Sequence, residues 1–421
     1  MIQQILDLHI HSKYSRACSP QLELPIIGKT CETRGIDVVV TGDCTHPAWF
    51  SDIKEQLKET NEGIFSLKDG SSRTKFMIGT EVASIKKHKD KTRRVHLLLF
   101  FPSIESTETF NKELDRRNIN RKSDGRPIIG MTSKDILQMM LEIDERAVMI
   151  PAHAWTPWFA VFGSKGGYDT LEECFEELTP HIFAIETGLS SDPLMNAHLS
   201  MLDNIALISN SDAHSPQKLG REANVFSFET EQEVTYTNIM HAIKQQDPTQ
   251  FLRTIEFYPE EGKYHYDGHR DCNVVLHPQE TKKHKGICPV CKRALTIGVM
   301  HRVDDLADRT GAQAKIARRI PYTSVVPLPE ILADTFGVGV ATKRVQAVYD
   351  TLITSLGSEF FILLDCPLKD IEVASSKEVA IAIDRVRQGT IVITPGYDGV
   401  FGTVKVFEEN ERTGVAQQIL F

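Results

Sequence analysis

The chain has 421 residues, 41% of them hydrophobic, and its 57 acidic against 48 basic side chains leave a net charge of −9. That length and apolar content predict a globular protein of two or three domains, and the acidic balance argues against an indiscriminate nucleic-acid coat. The eight cysteines form no disulfide framework. With no basic leader, no apolar leader core and no run near the roughly 18 apolar residues that a membrane helix needs, the expectation is a soluble cytoplasmic, nucleoid-associated protein in a reducing compartment. Neither internal repeats nor low-complexity tracts occur, and residues 103–125 and 260–285 are the most linker-like.

In chain order, the first element is a strand over residues 5–12 in which His9 and His11 alternate with Leu6, Leu8 and Ile10. Residues i and i+2 of a strand share a face, so this pair presents two imidazoles to one spot, with the apolar residues packed the other way. A second such pair, Asp212 and His214, closes the apolar strand that ends at Asn210. Between them come further apolar strands with a polar residue in or just after them: Val38–Val40 before Asp43, Phe76–Ile78 before Glu81, a strand carrying His96, Ala147–Ile150 before His153, and Ile182–Ile185 before Glu186. One such residue is more often hydrogen-bonded structure than a ligand. Their recurrence, with helix-like connections between, predicts a parallel α/β barrel whose site gathers at the carboxyl ends of the strands. Imidazole and carboxylate together suit zinc or manganese.

Past the barrel, the pair His269 and Cys272 is separated by 15 intervening residues from the pair Cys288 and Cys291, the knuckle spacing of a tetrahedral structural zinc site. His265 and His277 are alternatives for the fourth ligand. A closed four-ligand shell leaves no open position for substrate, so this zinc is expected to fold a small module and do nothing more. Residues 281–320 carry ten Lys or Arg, among them Lys282, Lys283 and Arg302, against three acids. Another basic run covers residues 86–94, and two such stretches beside a metal centre suit a phosphate backbone. Two amphipathic helices, Glu330–Thr335 and Thr342–Leu356, flank Gly337, Val338 and Gly339, an arrangement similar to a helix-hairpin-helix element offering backbone N–H groups to phosphate. A glycine-punctuated loop over residues 391–402 carries no evident role. The tail Gln417–Phe421 resembles the pentapeptide by which bacterial partners bind the sliding clamp.

The strand motifs together resemble the PHP (polymerase and histidinol phosphatase) domain over residues 1–256. The resemblance implies a distorted (β/α)7 barrel with two or three divalent metals (Zn2+, Mn2+ or Mg2+). It implies that His9, His11, Glu81 and Asp212 hold one metal, and that Glu81 bridges to a second held with His96 and His153. A third is expected near Asp43 and His214; there the chain reads Gly42, Asp43, Cys44 where the family carries Asp-His, and His46 could substitute. The zinc-ribbon-like module is assigned to residues 257–300 and a mainly helical DNA-binding region with the clamp-like tail to residues 301–421.

Three longer runs, residues 151–164, 264–269 and 288–309, extend the likeness nearly end to end to the endonuclease Q family of DNA-repair nucleases. That resemblance implies metal-dependent nicking of DNA on the 5′ side of deaminated bases (uracil, hypoxanthine, xanthine) and of abasic sites. A metal cluster lowers the pKa of water towards about 7 and clamps phosphate oxygens, so His9, His11, Glu81, His153 and Asp212 are the expected catalytic set. The aromatic residues Trp155, Trp158, Phe159 and Phe162 follow His153 directly and are candidates to stack on an extruded nucleotide. With them, Lys282, Lys283, Arg302, Gly337 and Gly339 make up the expected DNA contacts. Two other readings compete: a PHP phosphatase or exonuclease on other phosphate esters, and a non-catalytic DNA-binding or helicase-associated scaffold.

Overall fold

The computed structural model describes residues 1–89, 91–317, 320–408 and 411. The opening strand Ile2–Asp7 is central to its largest sheet: it pairs parallel with Val38–Val40 and antiparallel with Ala223–Phe228. Val38–Val40 continues parallel to Lys75–Met77. This run of valines is buried on both faces, as an interior parallel strand must be. The chain then enters Gly79–His88, which forms a ten-pair antiparallel hairpin with Lys91–Phe100. Lys91–Phe100 takes Val148–Pro151, also antiparallel, on its other edge. Ala184–Glu186 runs parallel to Ala206–Ile208, and a parallel bridge from Ile10 to Ala213 brings the end of that layer back to the first strand.

The result is a distorted barrel with helices outside it, but it is not all parallel. His88 pairs directly with Lys91, so the two strands follow one another without a crossover, and only an antiparallel neighbour can be joined in that way. His96 therefore projects from the middle of a strand, while Asp43, Glu81, His153 and Asp212 lie at or near strand ends. The strand ends at Asp7, short of the expected residue 12, and Leu6, Leu8 and Ile10, at most 1% exposed, anchor it and the segment carrying His9 and His11 into the core.

After the barrel, a small module is built from two short hairpin strands, Asp267–His269 and Val274–Leu276, and the helix Pro278–Lys283. Helix Val299–Leu306 leaves it, and strand Tyr322–Ser324 then joins the barrel sheet parallel to Phe251–Glu256. A helical region follows, with Leu328–Phe336, Lys343–Leu356, Glu359–Leu364, Leu368–Ala374 and Lys377–Gln388 packed through Ile331, Leu332, Val345, Leu352, Ile371 and Ile383. It docks on the barrel helix Leu24–Arg34 through a mostly buried ion pair between Arg34 and Glu359. Glu359 also accepts from Tyr349 Oη at 2.8 Å and Leu328 N at 2.9 Å. The last two strands described, Val392–Thr394 and Thr403–Lys405, form a hairpin that packs back on the module.

Candidate metal centre and cleft

Seven side chains meet at one end of the barrel. His9 Nε2 lies 3.7 Å from Glu81 Oε2 and 3.4 Å from Asp212 Oδ1, and His11 Nε2 lies 3.4 and 3.1 Å from the same two oxygens. The other oxygen of Glu81 is 2.6 Å from His96 Nδ1 and 3.1 Å from His153 Nε2. The seventh is Arg126, whose Nη1 donates to Glu81 Oε2 at 3.0 Å. Donor atoms thus fall into two groups, one of His9, His11, Glu81 and Asp212 and one of Glu81, His96 and His153. Glu81 faces both.

This donor set fits divalent cations on two grounds. His9 Nε2 is a buried nitrogen without a hydrogen-bond partner, a costly state unless another acceptor of its lone pair is provided. The charge balance agrees. Burial by itself lowers the pKa of His9, but Glu186 and Asp212 outweigh it and raise the value well above ordinary. Burial likewise raises Asp212, yet His9 and His11 pull it far below the usual carboxylate range. A pocket that draws protons onto two buried imidazoles carries a surplus of negative charge that a bound cation satisfies, with proton release.

Behind the ligand atoms lies a second layer that fixes their orientation. Glu186 is fully buried and reaches His9 Nδ1 with both oxygens, at 3.0 and 3.1 Å. It also accepts from His153 N at 2.7 Å and from Asn210 Nδ2 at 2.8 Å. His11 Nδ1 meets Asp43 Oδ1 at 3.1 Å, and Thr156 Oγ1 lies 3.0 Å from His153 Nδ1. Carboxylate-to-histidine contacts of this kind set which ring nitrogen is left for a metal. Asp43, His153 and Asp212 all have positive φ (44°, 28° and 46°), a conformation sparsely used outside glycine that here turns three polar side chains inward at strand ends. Gly188 (φ 59°) makes room for one of them: a Cβ there would sit 2.5 Å from His153 Cβ.

Beside the centre opens a cleft of about 380 Å³. Its floor includes His96, Arg126, His153 and Asp212; one wall is the loop Thr156–Phe159 and the other the module segment Pro259–His265. Trp158 is 46% exposed and meets Tyr264 edge to face at 5.5 Å. Phe159 packs on the His96 ring, with centroids 4.7 Å apart.

In the module, His269, Cys272, Cys288 and Cys291 bring four donor atoms together, with Cys291 Sγ 3.9 Å from His269 Nδ1. The set suits tetrahedral zinc. The two alternatives are engaged elsewhere: His277 caps the helix Pro278–Lys283, and His265 is buried against the cleft wall.

The C-terminal helices, residues 327–390, match the family described as the MJ0043 C-terminal domain. The chain is 30% identical over 256 residues to the uncharacterized protein MJ0043 of Methanocaldococcus jannaschii; the match covers 60% of this chain and 31% of that protein, so the chain spans about a third of that relative's length. Among solved structures, the lesion-specific endonuclease PfuEndoQ of Pyrococcus furiosus superposes with a TM-score of 0.85 at 31% identity, covering 97% of this chain and 96% of that one. The chain belongs to the endonuclease Q family. A second endonuclease Q structure, a complex with a 27-mer duplex substrate bearing an abasic lesion at the active site, superposes with a TM-score of 0.82 at 31% identity over 97% of this chain and 98% of that one.

Several sequence expectations change in this member of the endonuclease Q family. Asp43, expected at a third metal, places its carboxylate on His11 Nδ1, Ser12 and Ser15 and so fixes the orientation of the His11 ring. His46, the proposed substitute, caps the helix Pro47–Gln56 and stacks on Tyr14. His214 lies beside His11, ring centroids 4.6 Å apart, and meets the Asp212 carbonyl through Nδ1 at 2.8 Å; among the described residues no third donor group forms around it. Trp155, expected to touch DNA, is 1% exposed, packs at a tilt against buried Phe162 and donates to Asn196, so both rings are core. Arg302 is a staple: it donates to the Phe162 and Tyr168 carbonyls and to Asp169, leaving its guanidinium committed to the barrel. Lys282 pairs with Asp304 and Asp305, whereas Lys283, Gly337 and Gly339 are exposed. Lys86, Lys87, Lys89 and Lys91 are exposed at the tip of the long hairpin. The clamp-like tail, residues 417–421, lies outside the described residues. Among those described, no helix is long and apolar enough to cross a membrane. Arg126 escaped the sequence reading because it follows the polar segment 103–125 with no periodic pattern around it. Glu186 was visible as an acidic strand end, but nothing in its spacing tells an orienting carboxylate from a ligand.

Proposed function

We propose that the chain is a metal-dependent endonuclease that nicks DNA on the 5′ side of deaminated bases (uracil, hypoxanthine, xanthine) and of abasic sites. One observation carries this reading: two donor groups sharing Glu81 reach the floor of a cleft through His96, His153 and Asp212 in a chain that belongs to the endonuclease Q family. Divalent cations bound there would supply an activated water and neutralise phosphate charge. The remaining work falls to the protein's own groups. His9, His11, Glu81 and Asp212 would hold one cation, and Glu81, His96 and His153 a second. Glu186 and Asp43 keep the ligand rings of His9 and His11 turned inward. Arg126, its guanidinium one-quarter exposed at the cleft floor, gives a phosphodiester a fixed positive partner able to donate in a fork.

Extruding a damaged base costs stacking energy, least at mispaired or abasic positions. Trp158 and Tyr264 offer π-faces at the rim for a base that leaves the helix. Lys283, the hairpin-tip lysines and the exposed Gly337–Gly339 turn are the remaining backbone-contact candidates. The barrel (1–256) is assigned the chemistry, the zinc module (257–300) one wall of the cleft, and residues 301–421 the grip on flanking DNA. A DNA substrate places this activity with the nucleoid. The tail 417–421 is proposed as a clamp ligand, testable by pull-down with and without those residues.

The deciding assay uses end-labelled duplexes carrying one uracil, hypoxanthine, xanthine or abasic site, or none, with and without manganese or magnesium. Lesion-dependent, metal-dependent nicking that disappears in His9→Ala is expected. Equal cutting of undamaged duplex, or none of any duplex, refutes the reading.

A further inference from the structure

The glycine-punctuated loop after strand Val392–Thr394 returns to the zinc module and is fixed there at both ends. Gly396 N donates to Glu260 O at 2.7 Å, Tyr266 N to Gly396 O at 3.0 Å, Gly399 N to Lys263 O at 3.0 Å and Gly402 N to Glu261 O at 3.1 Å. The Asp398 carboxylate accepts from Arg270 N at 2.8 Å and Thr296 Oγ1 at 2.6 Å. Gly402 is required by this close seating, since a Cβ would fall 2.1 Å from the Glu260 carbonyl oxygen. The segment it grips, residues 260–264, is the module wall of the cleft.

This anchored turn displays a large apolar side chain to solvent: Phe401 is 67% exposed. The Lys263 ammonium lies 4.4 Å from the centroid of its ring. Lys263 and its neighbour Tyr264 both line the cleft, and Tyr264 touches Trp158 across it. Phe401, Lys263, Tyr264 and Trp158 therefore form a continuous lip of three aromatic rings and one cation, ending in a phenyl group on a backbone that cannot fold away. An aromatic ring held rigidly in water, with a cation on its face, suits a partner that offers both a π-face and a phosphate.

We propose that Phe401 is a wedge: it enters the base stack at the gap left by the extruded nucleotide, while Lys263 pairs with the adjoining phosphate. Proteins that unstack duplexes use apolar side chains in this way. The inference rests on the endonuclease reading and adds to it a residue whose work is opening the stack. No bond is made or broken by the wedge, so its effect must depend on whether a base has to be displaced.

The test compares the full-length chain with Phe401→Ala and Phe401→Trp on paired uracil and abasic duplexes. Phe401→Ala is expected to lower kcat/KM on paired uracil by about tenfold or more, the scale of losing one base-aromatic stack. Abasic cutting should change less than about threefold, because no base is displaced there. Phe401→Trp should restore most of the uracil activity. In a His9→Ala background, 2-aminopurine beside the uracil should brighten on binding, and this rise should vanish when Phe401→Ala is added. Equal losses on both duplexes, or an unchanged 2-aminopurine signal, overturn the wedge. Failure of the parent to nick any lesion falls on the endonuclease reading, and the fluorescence arm, which needs no cutting, still decides the role of Phe401.

Discussion

Replacing Glu186 with glutamine changes one oxygen to an NH2 group and leaves the volume of a fully buried side chain nearly constant. Three donors converge on that carboxylate: the His9 ring through Nδ1, the His153 backbone N–H and the Asn210 amide. A carboxylate accepts from all of them, but a glutamine presents a donor to at least one. Rotating the Asn210 amide cannot relieve the clash, because Asn210 Oδ1 already accepts from Leu8 N at 2.8 Å and Asn224 Nδ2 at 2.9 Å. One buried donor is therefore left unpaired, at a cost of roughly 1–3 kcal/mol. His9 also loses the negative partner that holds Nδ1 as the donor and Nε2 as the free nitrogen. Loss of such an outer carboxylate lowers metal affinity about 10–100-fold, or roughly 1.4–2.7 kcal/mol. Chelator competition followed by elemental analysis measures this, with the module zinc as internal reference. Glu186→Gln should release a barrel ion at lower chelator concentration than the parent while keeping the zinc. If both barrel ions leave at the parent's chelator concentration, Glu186 does not orient His9 and the layered account of the site is wrong.

Other outcomes follow from the same geometry. Arg126→Ala should cut nicking by about tenfold to a hundredfold, within the range for loss of one charge-assisted contact to a transition-state oxygen, with metal content unchanged; Arg126→Lys should recover only part of it, since a lysine cannot fork. Arg34→Ala should destabilise the chain by about 3–5 kcal/mol, because it strands the buried Glu359 carboxylate; a chemical-denaturation shift under about 1 kcal/mol, the range of an exposed pair, would contradict a structural role for this pair. Glu256 carries a pH signature: burial, opposed by hydrogen bonds from Thr254, Ser209 and Thr187, raises its pKa from 4.5 to about 8. The folded state holds that proton more tightly than the unfolded state, so the contribution is full below about pH 4.5 and is lost as pH rises through about 8. Glu256→Gln should flatten the fall in melting temperature between those limits, and an unaltered slope would show that the carboxyl ionises freely. Cys288→Ser should remove one equivalent of zinc and lower the melting temperature while leaving barrel metal in place.

The pairing of His9 with His11 was legible because side chains two residues apart in extended chain share a face, with Leu8 and Ile10 turned to the core; Asp212 reaches the same cluster through a positive φ and not through strand alternation. The gathering of His269, Cys272, Cys288 and Cys291 was legible because short spacing within each pair brings donors together regardless of what surrounds them. The division of labour among the gathered carboxylates was not. Asp43 and Glu186 each follow an apolar strand just as Glu81 follows one, and whether such a group reaches a cation or the back of an imidazole is a matter of about 3 Å set by distant segments. Trp155 failed for the complementary reason. Next to a ligand in sequence, it sits past a residue of positive φ that reverses the chain, so its ring goes to the core while Trp158 emerges at the rim. The parallel barrel expectation erred at the strand carrying His96, which follows its neighbour without a crossover helix and pairs antiparallel on both edges.

The zinc module was expected to fold itself and do nothing more, and the structure gives it a larger part. Segment Pro259–His265 forms one wall of the cleft, and its backbone is held by the loop carrying Phe401 and by Met300 N and Val299 N, which donate to His265 and Tyr264. The helix that supplies those two N–H groups also carries Arg302, which grips the carbonyls of Phe162 and Tyr168 on the far side of the aromatic loop. Both walls of the cleft are thus tied to one helix, Val299–Leu306, that follows Cys291 and packs on the hairpin carrying His269. The module's own buried apolar cluster is only Val274, Cys288 and Leu295, too small to be stable without a metal staple. Losing the zinc should therefore loosen the lip formed by Lys263, Tyr264 and Phe401 before it disturbs His9, His11 or Asp212. Cys288→Ser should then weaken cutting of paired uracil more than cutting of an abasic site, the same asymmetry expected of Phe401→Ala; equal loss on both would mean that the metal supports the fold without shaping the cleft.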